Sequence, residues 1–122
     1  MIASIDDLTA ALRRFAAERD WERYHSPKNL AMALNVEAAE LMEHFQWLTQ
    51  EESYLRSPAS REAVSEELAD VLIYLVRLAD RLDIDLLAAA ANKISKNARK
   101  YPAPADGSAA SGTADSQGGL EA

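Results

Sequence analysis

The chain has 122 residues, the size of one domain, with 13 Lys+Arg, 20 Asp+Glu, a net charge of −7 and no Cys. The missing cysteines exclude disulfides, thiolate zinc sites and a cysteine nucleophile, and the acid excess argues against nucleic-acid or anionic-membrane partners. No apolar run approaches the roughly 18 residues that span a bilayer, and Met1-Ile2-Ala3-Ser4-Ile5 has no basic leader region, so a soluble, cytoplasmic protein is expected.

In chain order, Ser4 is an N-cap with Asp7 three residues on, and Leu8, Leu12 and Phe15 keep a 3–4 spacing. This predicts a first helix over Ile5–Asp20. The stretch Trp21-Glu22-Arg23-Tyr24-His25 is aromatic and aperiodic, and reads as a loop. Ser26-Pro27 combines a cap with proline at the first helical position, where its missing N–H costs nothing. A second helix follows over Pro27–Leu48, then a polar connection over Thr49–Ser57. Ser57-Pro58 repeats the device and opens a third helix, Pro58–Leu82. Its Val64, Leu68, Val71, Leu75, Leu78 and Leu82 form a heptad seam. Asp83 or Asp85 caps a fourth helix that ends before Pro102.

All four glycines fall after Asp106, and residues 103–122 hold one large apolar side chain, Leu120. Such a segment cannot bury enough surface to offset its ordering entropy, so a disordered tail is expected there. The remaining body, residues 1–102, has 13 bases and 17 acids and is rich in Ala, Leu, Glu and Arg. The expected fold is therefore all-α, a four-helix bundle. So small a body buries a modest core, which makes shared burial in a homodimer plausible.

Glu37 and Glu40 lie three apart in the second helix, and Glu67 and Asp70 three apart in the third, both pairs among apolar residues. Residues at i and i+3 share a face, so antiparallel packing of the two helices would let the pairs meet. Four carboxylates within about 5 Å would cost roughly 3 kcal/mol for each pair at an effective dielectric near 20. Either the acids do not converge or protons or cations neutralise them. All-oxygen ligands suit a hard cation, Mg²⁺ with Mn²⁺ as a substitute. The competing reading is a pair of solvated helix faces. A di-iron bundle wants Glu-x-x-His, but Glu43 follows Glu40 by three and Ile73 follows Asp70 by three.

The strings Glu37-Ala38-Ala39-Glu40-Leu41-Met42-Glu43-His44-Phe45-Gln46-Trp47 and Glu66-Glu67-Leu68-Ala69-Asp70-Val71-Leu72-Ile73-Tyr74 carry a resemblance. So do Arg19–His25, Pro27–Leu30, Lys93–Asn97 and Arg99–Pro102. Over about residues 5–102 the chain resembles the MazG-like all-α nucleoside triphosphate pyrophosphohydrolases, above all their dCTP pyrophosphatase branch. The resemblance implies cleavage of a nucleoside triphosphate between the α- and β-phosphates, with Mg²⁺ held by Glu37, Glu40, Glu67 and Asp70. Glu37 or Glu40 would orient or deprotonate the attacking water. The resemblance also implies substrate contacts from Trp21, His25, Trp47 and Tyr74 on the nucleoside and from Lys93, Asn97 and Tyr101 on the triphosphate. It implies a homodimer or homotetramer with sites at subunit contacts. Without it, Trp47 and Tyr74 would read as core packing, Trp21 as a plug over the bundle end and Lys93 as part of a solvated helix end. Another activity of the same type, on dUTP or phosphoribosyl-ATP, and a non-catalytic helical binding module are the rival readings. The chain departs from the dCTP-selective pattern at Leu12, where a histidine is expected, and at Ser95, where an acid is expected.

Overall fold

A computed structural model describes residues 1–105. The expected tail lies outside the described residues from Asp106 onward. Four α-helices and two short 3₁₀ turns make up the described residues, with no strand among them: α1 (Ile5–Glu18), α2 (Pro27–Glu43), α3 (Pro58–Arg81) and α4 (Leu86–Lys100). The turns are Glu22–Tyr24 and Glu52–Tyr54. Among the described residues no helix is long and apolar enough to cross a membrane.

The caps act as the sequence dictates. Ser4, Ser26 and Ser57 each accept a hydrogen bond from the backbone N–H three residues on, at Asp7, Asn29 and Ser60. Without glycine in the body, two helices leave through aspartates in the left-handed region, Asp20 at φ 55° and Asp83 at φ 55°. Beyond them the Trp21 N–H donates to Ala16 O at 2.9 Å and the Ile84 N–H to Ala79 O at 2.8 Å, which closes both helix ends.

Helix α1 ends two residues earlier than expected, and α2 ends at Glu43 rather than Leu48. The second difference has a local cause. Thr49 and Glu52 form a reciprocal capping box, Thr49 Oγ1 accepting from the Glu52 N–H and Glu52 Oε1 from the Thr49 N–H. That box starts the second 3₁₀ turn, and His44–Trp47 become a turn instead of more helix.

Two compact units result, Met1–Leu86 and the part from Leu87 onward. In the first, α3 packs on α2 and on α1. The contacts run in opposite senses along the chain, His25 meeting Arg77 while Glu37 meets Glu67 and Asp70, so α2 and α3 are antiparallel. Leu30, Val76, Ala16, Val64 and Ala79 are buried. The heptad seam is divided. Val64, Val71 and Leu78 are covered to differing degrees, whereas Leu68, Leu75 and Leu82, also seven apart, stay exposed. In the second unit α4 carries Lys93, Asn97 and, just past its end, Tyr101, whose N–H donates to Asn97 O at 2.7 Å.

Candidate active site

The antiparallel α2–α3 contact brings carboxylates together. One oxygen from each of Glu37, Glu67 and Asp70 lies within 4.8 Å of the others. Glu40, one turn on from Glu37, acts on Glu37 through hydrogen bonding and charge. The turn after α2 returns His44 to the cluster, its Nε2 3.8 Å from Glu67. Glu37 Oε2 and Glu67 Oε2 are buried without a hydrogen-bond partner. A buried carboxylate oxygen left unpaired is costly, and a cation is the group that satisfies several at once. The donor set is all carboxylate, which fits a hard divalent ion.

Burial, hydrogen bonding with Glu40 and the charges of Glu40 and Asp70 push the Glu37 carboxyl up to about 7. A raised carboxylate pKa means that the folded protein holds an extra proton between the ordinary value of 4.5 and about 7. In the ion-free protein this group therefore favours folding at low pH and loses that contribution as the pH rises through the window. A divalent ion bound at this cluster would compete with that proton. Ion binding is expected to release close to one proton at about pH 6 and almost none at about pH 8.5. Calorimetry in buffers of different ionisation enthalpy measures this, and heats at the lower pH that do not depend on the buffer would contradict it.

A separate cavity of about 190 Å³ opens between α1, the first 3₁₀ turn and α3. Leu12, Phe15, Ala16, Trp21, His25, Ile73, Tyr74 and Arg77 line it. That volume is below the roughly 300–1,000 Å³ of pockets that enclose a drug-sized ligand, and suits one ring of a ligand better than a whole nucleotide. Trp21 stands edge-on to Phe15, with ring centroids 5.5 Å apart. Three residues singled out from the sequence, Trp21, His25 and Tyr74, thus share one cavity. Trp47 does not join them. It sits in the turn after α2 and is 86% exposed. Lys93, Asn97 and Tyr101 belong to the second unit.

Sequence reasoning missed Arg77. It is only 3% exposed, and its Nη2 has no hydrogen-bond partner. The available signal was a lone charge inside Tyr74-Leu75-Val76-Arg77-Leu78-Ala79, a stretch otherwise fit for the core.

Residues 32–114 match the model of the MazG-like family. Human dCTP pyrophosphatase 1 is 49% identical over 102 residues, covering 82% of this chain and 60% of that protein. The rat protein of the same name is 46% identical over 101 residues, covering 81% and 59%. The chain thus spans about 60% of the length of the mammalian relatives it matches. The crystal structure of a pyrophosphatase from Archaeoglobus fulgidus superposes with a TM-score of 0.77 at 41% identity, over 84% of this chain and 96% of that one.

Proposed function

The chain belongs to the MazG-like family, and from that premise we propose that it hydrolyses a (deoxy)nucleoside triphosphate to the monophosphate and pyrophosphate. The proposed substrate is dCTP or a modified dCTP, the proposed role is cleansing of the nucleotide pool, and the working domain is residues 1–102. The observation that carries this reading is the meeting of Glu37, Glu67 and Asp70 on two helices, with two buried oxygens unsatisfied. The names of the mammalian relatives support the choice of substrate.

In this reading Glu37, Glu40, Glu67 and Asp70 hold Mg²⁺, for which Mn²⁺ can substitute. The bound ion supplies neutralisation of phosphate charge and a more acidic water. The protein's own part is positional and protonic. Helices α2 and α3 present the carboxylates from rigid backbones. Glu37 or Glu40 orients or deprotonates the attacking water. Trp21, His25 and Tyr74 line a cavity for the base. Trp47, Lys93, Asn97 and Tyr101 are proposed as further substrate-contacting residues. The nucleoside triphosphate is the proposed small-molecule partner, no nucleic acid or membrane is proposed, and the proposed setting is the cytoplasm.

A homodimer or homotetramer belongs to the same proposal. The exposed half of the α3 seam, Leu68, Leu75 and Leu82, is a row that a second copy would cover. The test is a panel of nucleoside triphosphates with and without Mg²⁺, run on a sample whose mass is read by light scattering. Expected are monophosphate and pyrophosphate in equal amounts, only with the ion, from a species larger than a monomer. Release of orthophosphate, or no turnover of any nucleotide with any divalent ion, would overturn the assignment. A preference for dUTP or phosphoribosyl-ATP would move the substrate within the same chemistry.

A further inference from the structure

The cavity beside α1 contains a histidine held in one orientation by a buried arginine. Arg77 donates from Nε to Nδ1 of His25 at 3.2 Å. An arginine Nε always carries its hydrogen, so His25 Nδ1 must be bare and its ring proton must sit on Nε2. Arg81 holds the same residue from the other side, its Nε donating to the His25 carbonyl oxygen at 3.1 Å. Arg77 is fixed in turn, with Nη1 donating to Asp80 Oδ2 at 3.3 Å and Nη2 lying 3.8 Å from Glu22 Oε1.

We propose that Arg77 is a positioning residue for ligand selection: by fixing His25 as the Nε2–H tautomer it makes the cavity offer a hydrogen-bond donor. A base whose ring edge carries an acceptor, such as the carbonyl oxygen or bare ring nitrogen of cytosine, is thereby favoured. The proposal deepens the nucleotide reading and rests on it for the identity of the ligand. Three features of the site support it. His25 Nε2 makes no hydrogen bond among the described residues, so it is the ring nitrogen left for a ligand. The rest of the lining is apolar at Leu12, Phe15, Ala16 and Ile73, so the few polar groups carry the choice. The charged groups around His25 are Arg77 and Arg81 of α3 and Glu22 of the turn. Burial, then the two arginines, hold its pKa below the ordinary imidazole value, against a smaller opposing effect of Glu22. Protonation would also place a hydrogen on Nδ1, facing the Arg77 N–H. The ring is thus neutral and a donor at physiological pH.

Long-range ¹H–¹⁵N NMR of the full chain reads the His25 tautomer directly, whether or not any nucleotide is turned over. Expected is Nε2–H in the wild type, and in Arg77→Met a tautomer mixture with a raised titration midpoint. In the dCTP assay, Arg77→Met and His25→Phe should each raise KM about tenfold with kcat changed far less. The double variant should raise KM about tenfold as well, not a hundredfold, because Arg77 acts through His25. Arg77→Lys, which keeps a donor, should recover part of the loss. A wild-type Nδ1–H tautomer would overturn the proposal even if Arg77→Met failed to fold. Multiplicative KM effects, or an unchanged KM in both single variants, would overturn it too. A wild type that hydrolyses no triphosphate defeats the nucleotide reading instead, and the spectrum still decides whether Arg77 sets the tautomer.

Discussion

Asp70→Asn is expected to lower turnover of the nucleoside triphosphate about 10³-fold and, in the same protein stripped of divalent ions, to raise the melting temperature. Both effects come from one cluster. Three carboxylate oxygens lie within 4.8 Å of one another. At an effective dielectric near 20, each fully ionised pair at that distance costs about 3 kcal/mol. The total would rival the 5–15 kcal/mol stability typical of a domain, to within a factor of about two. The protein meets that cost by keeping a proton on Glu37 up to about pH 7. Neutralising Asp70 removes one source of repulsion, a gain of about 1 kcal/mol once the partial protonation of Glu37 is allowed for. That corresponds to roughly 4–8 °C for a body of this size. Under the proposed function the same change would also remove a ligand from an ion that contributes several kcal/mol to phosphoryl chemistry, and each 1.36 kcal/mol is about tenfold in rate. A folding role alone would move activity and stability in the same direction. Melts in chelator and initial rates in saturating Mg²⁺ read the two quantities. Retained activity, or a lower melting temperature in chelator, would remove the cluster from the mechanism.

The sequence made the cluster legible because its information was local. Spacing of three on a helix sets a shared face, and serine-proline caps fix where the two helices begin. The MazG-like resemblance then agreed with the family match over residues 32–114. What the sequence could not show depends on rotation and on side chains distant in the chain. A heptad seam says that one stripe of α3 is apolar, but not which half of it meets α2. Val64 is covered, while Leu68 is 52% exposed. The early end of α2 arises from competition between a helix with no breaker and a capping box at Thr49 and Glu52, two local preferences whose balance periodicity does not reveal. Trp47 consequently sits in a turn, away from the ring-lined cavity. Arg77 was hidden for the opposite reason. Its partner His25 lies 52 positions away along the chain, and Arg81, which donates to the carbonyl oxygen of the same histidine, lies 56 positions from it, and no local rule pairs them.

That arginine also makes Asp80 a sensitive side chain outside the carboxylate cluster. Asp80 accepts from Arg13 through both oxygens, Arg13 Nε lying 2.8 Å from Oδ2, and from Arg77 Nη1 at 3.3 Å. The Arg13 hydrogen bond, with the charges of Arg13, Arg77 and Arg81, holds its carboxyl below the ordinary 3.8 against the opposing effect of burial. A depressed pKa of this kind contributes stability above the ordinary value and loses it as the pH falls through the depressed one. Arg13 is 62% exposed on its side chain and can return to water when its partner is removed. Arg77, 3% exposed, cannot. Asp80→Ala is therefore expected to destabilise the protein by about 3 kcal/mol, the cost of leaving a buried charge without its nearer and better-buried counter-ion. Arg13→Ala should cost much less, since its charge lies at the surface. The Asp80 variant should also show a smaller loss of stability than the wild type as the pH falls below the ordinary value of 3.8. Urea unfolding across that range tests both expectations. If Asp80→Ala and Arg13→Ala proved equally mild, with unchanged pH dependence, Arg77 would be satisfied by other means, and the network that holds His25 in the cavity wall would not depend on Asp80.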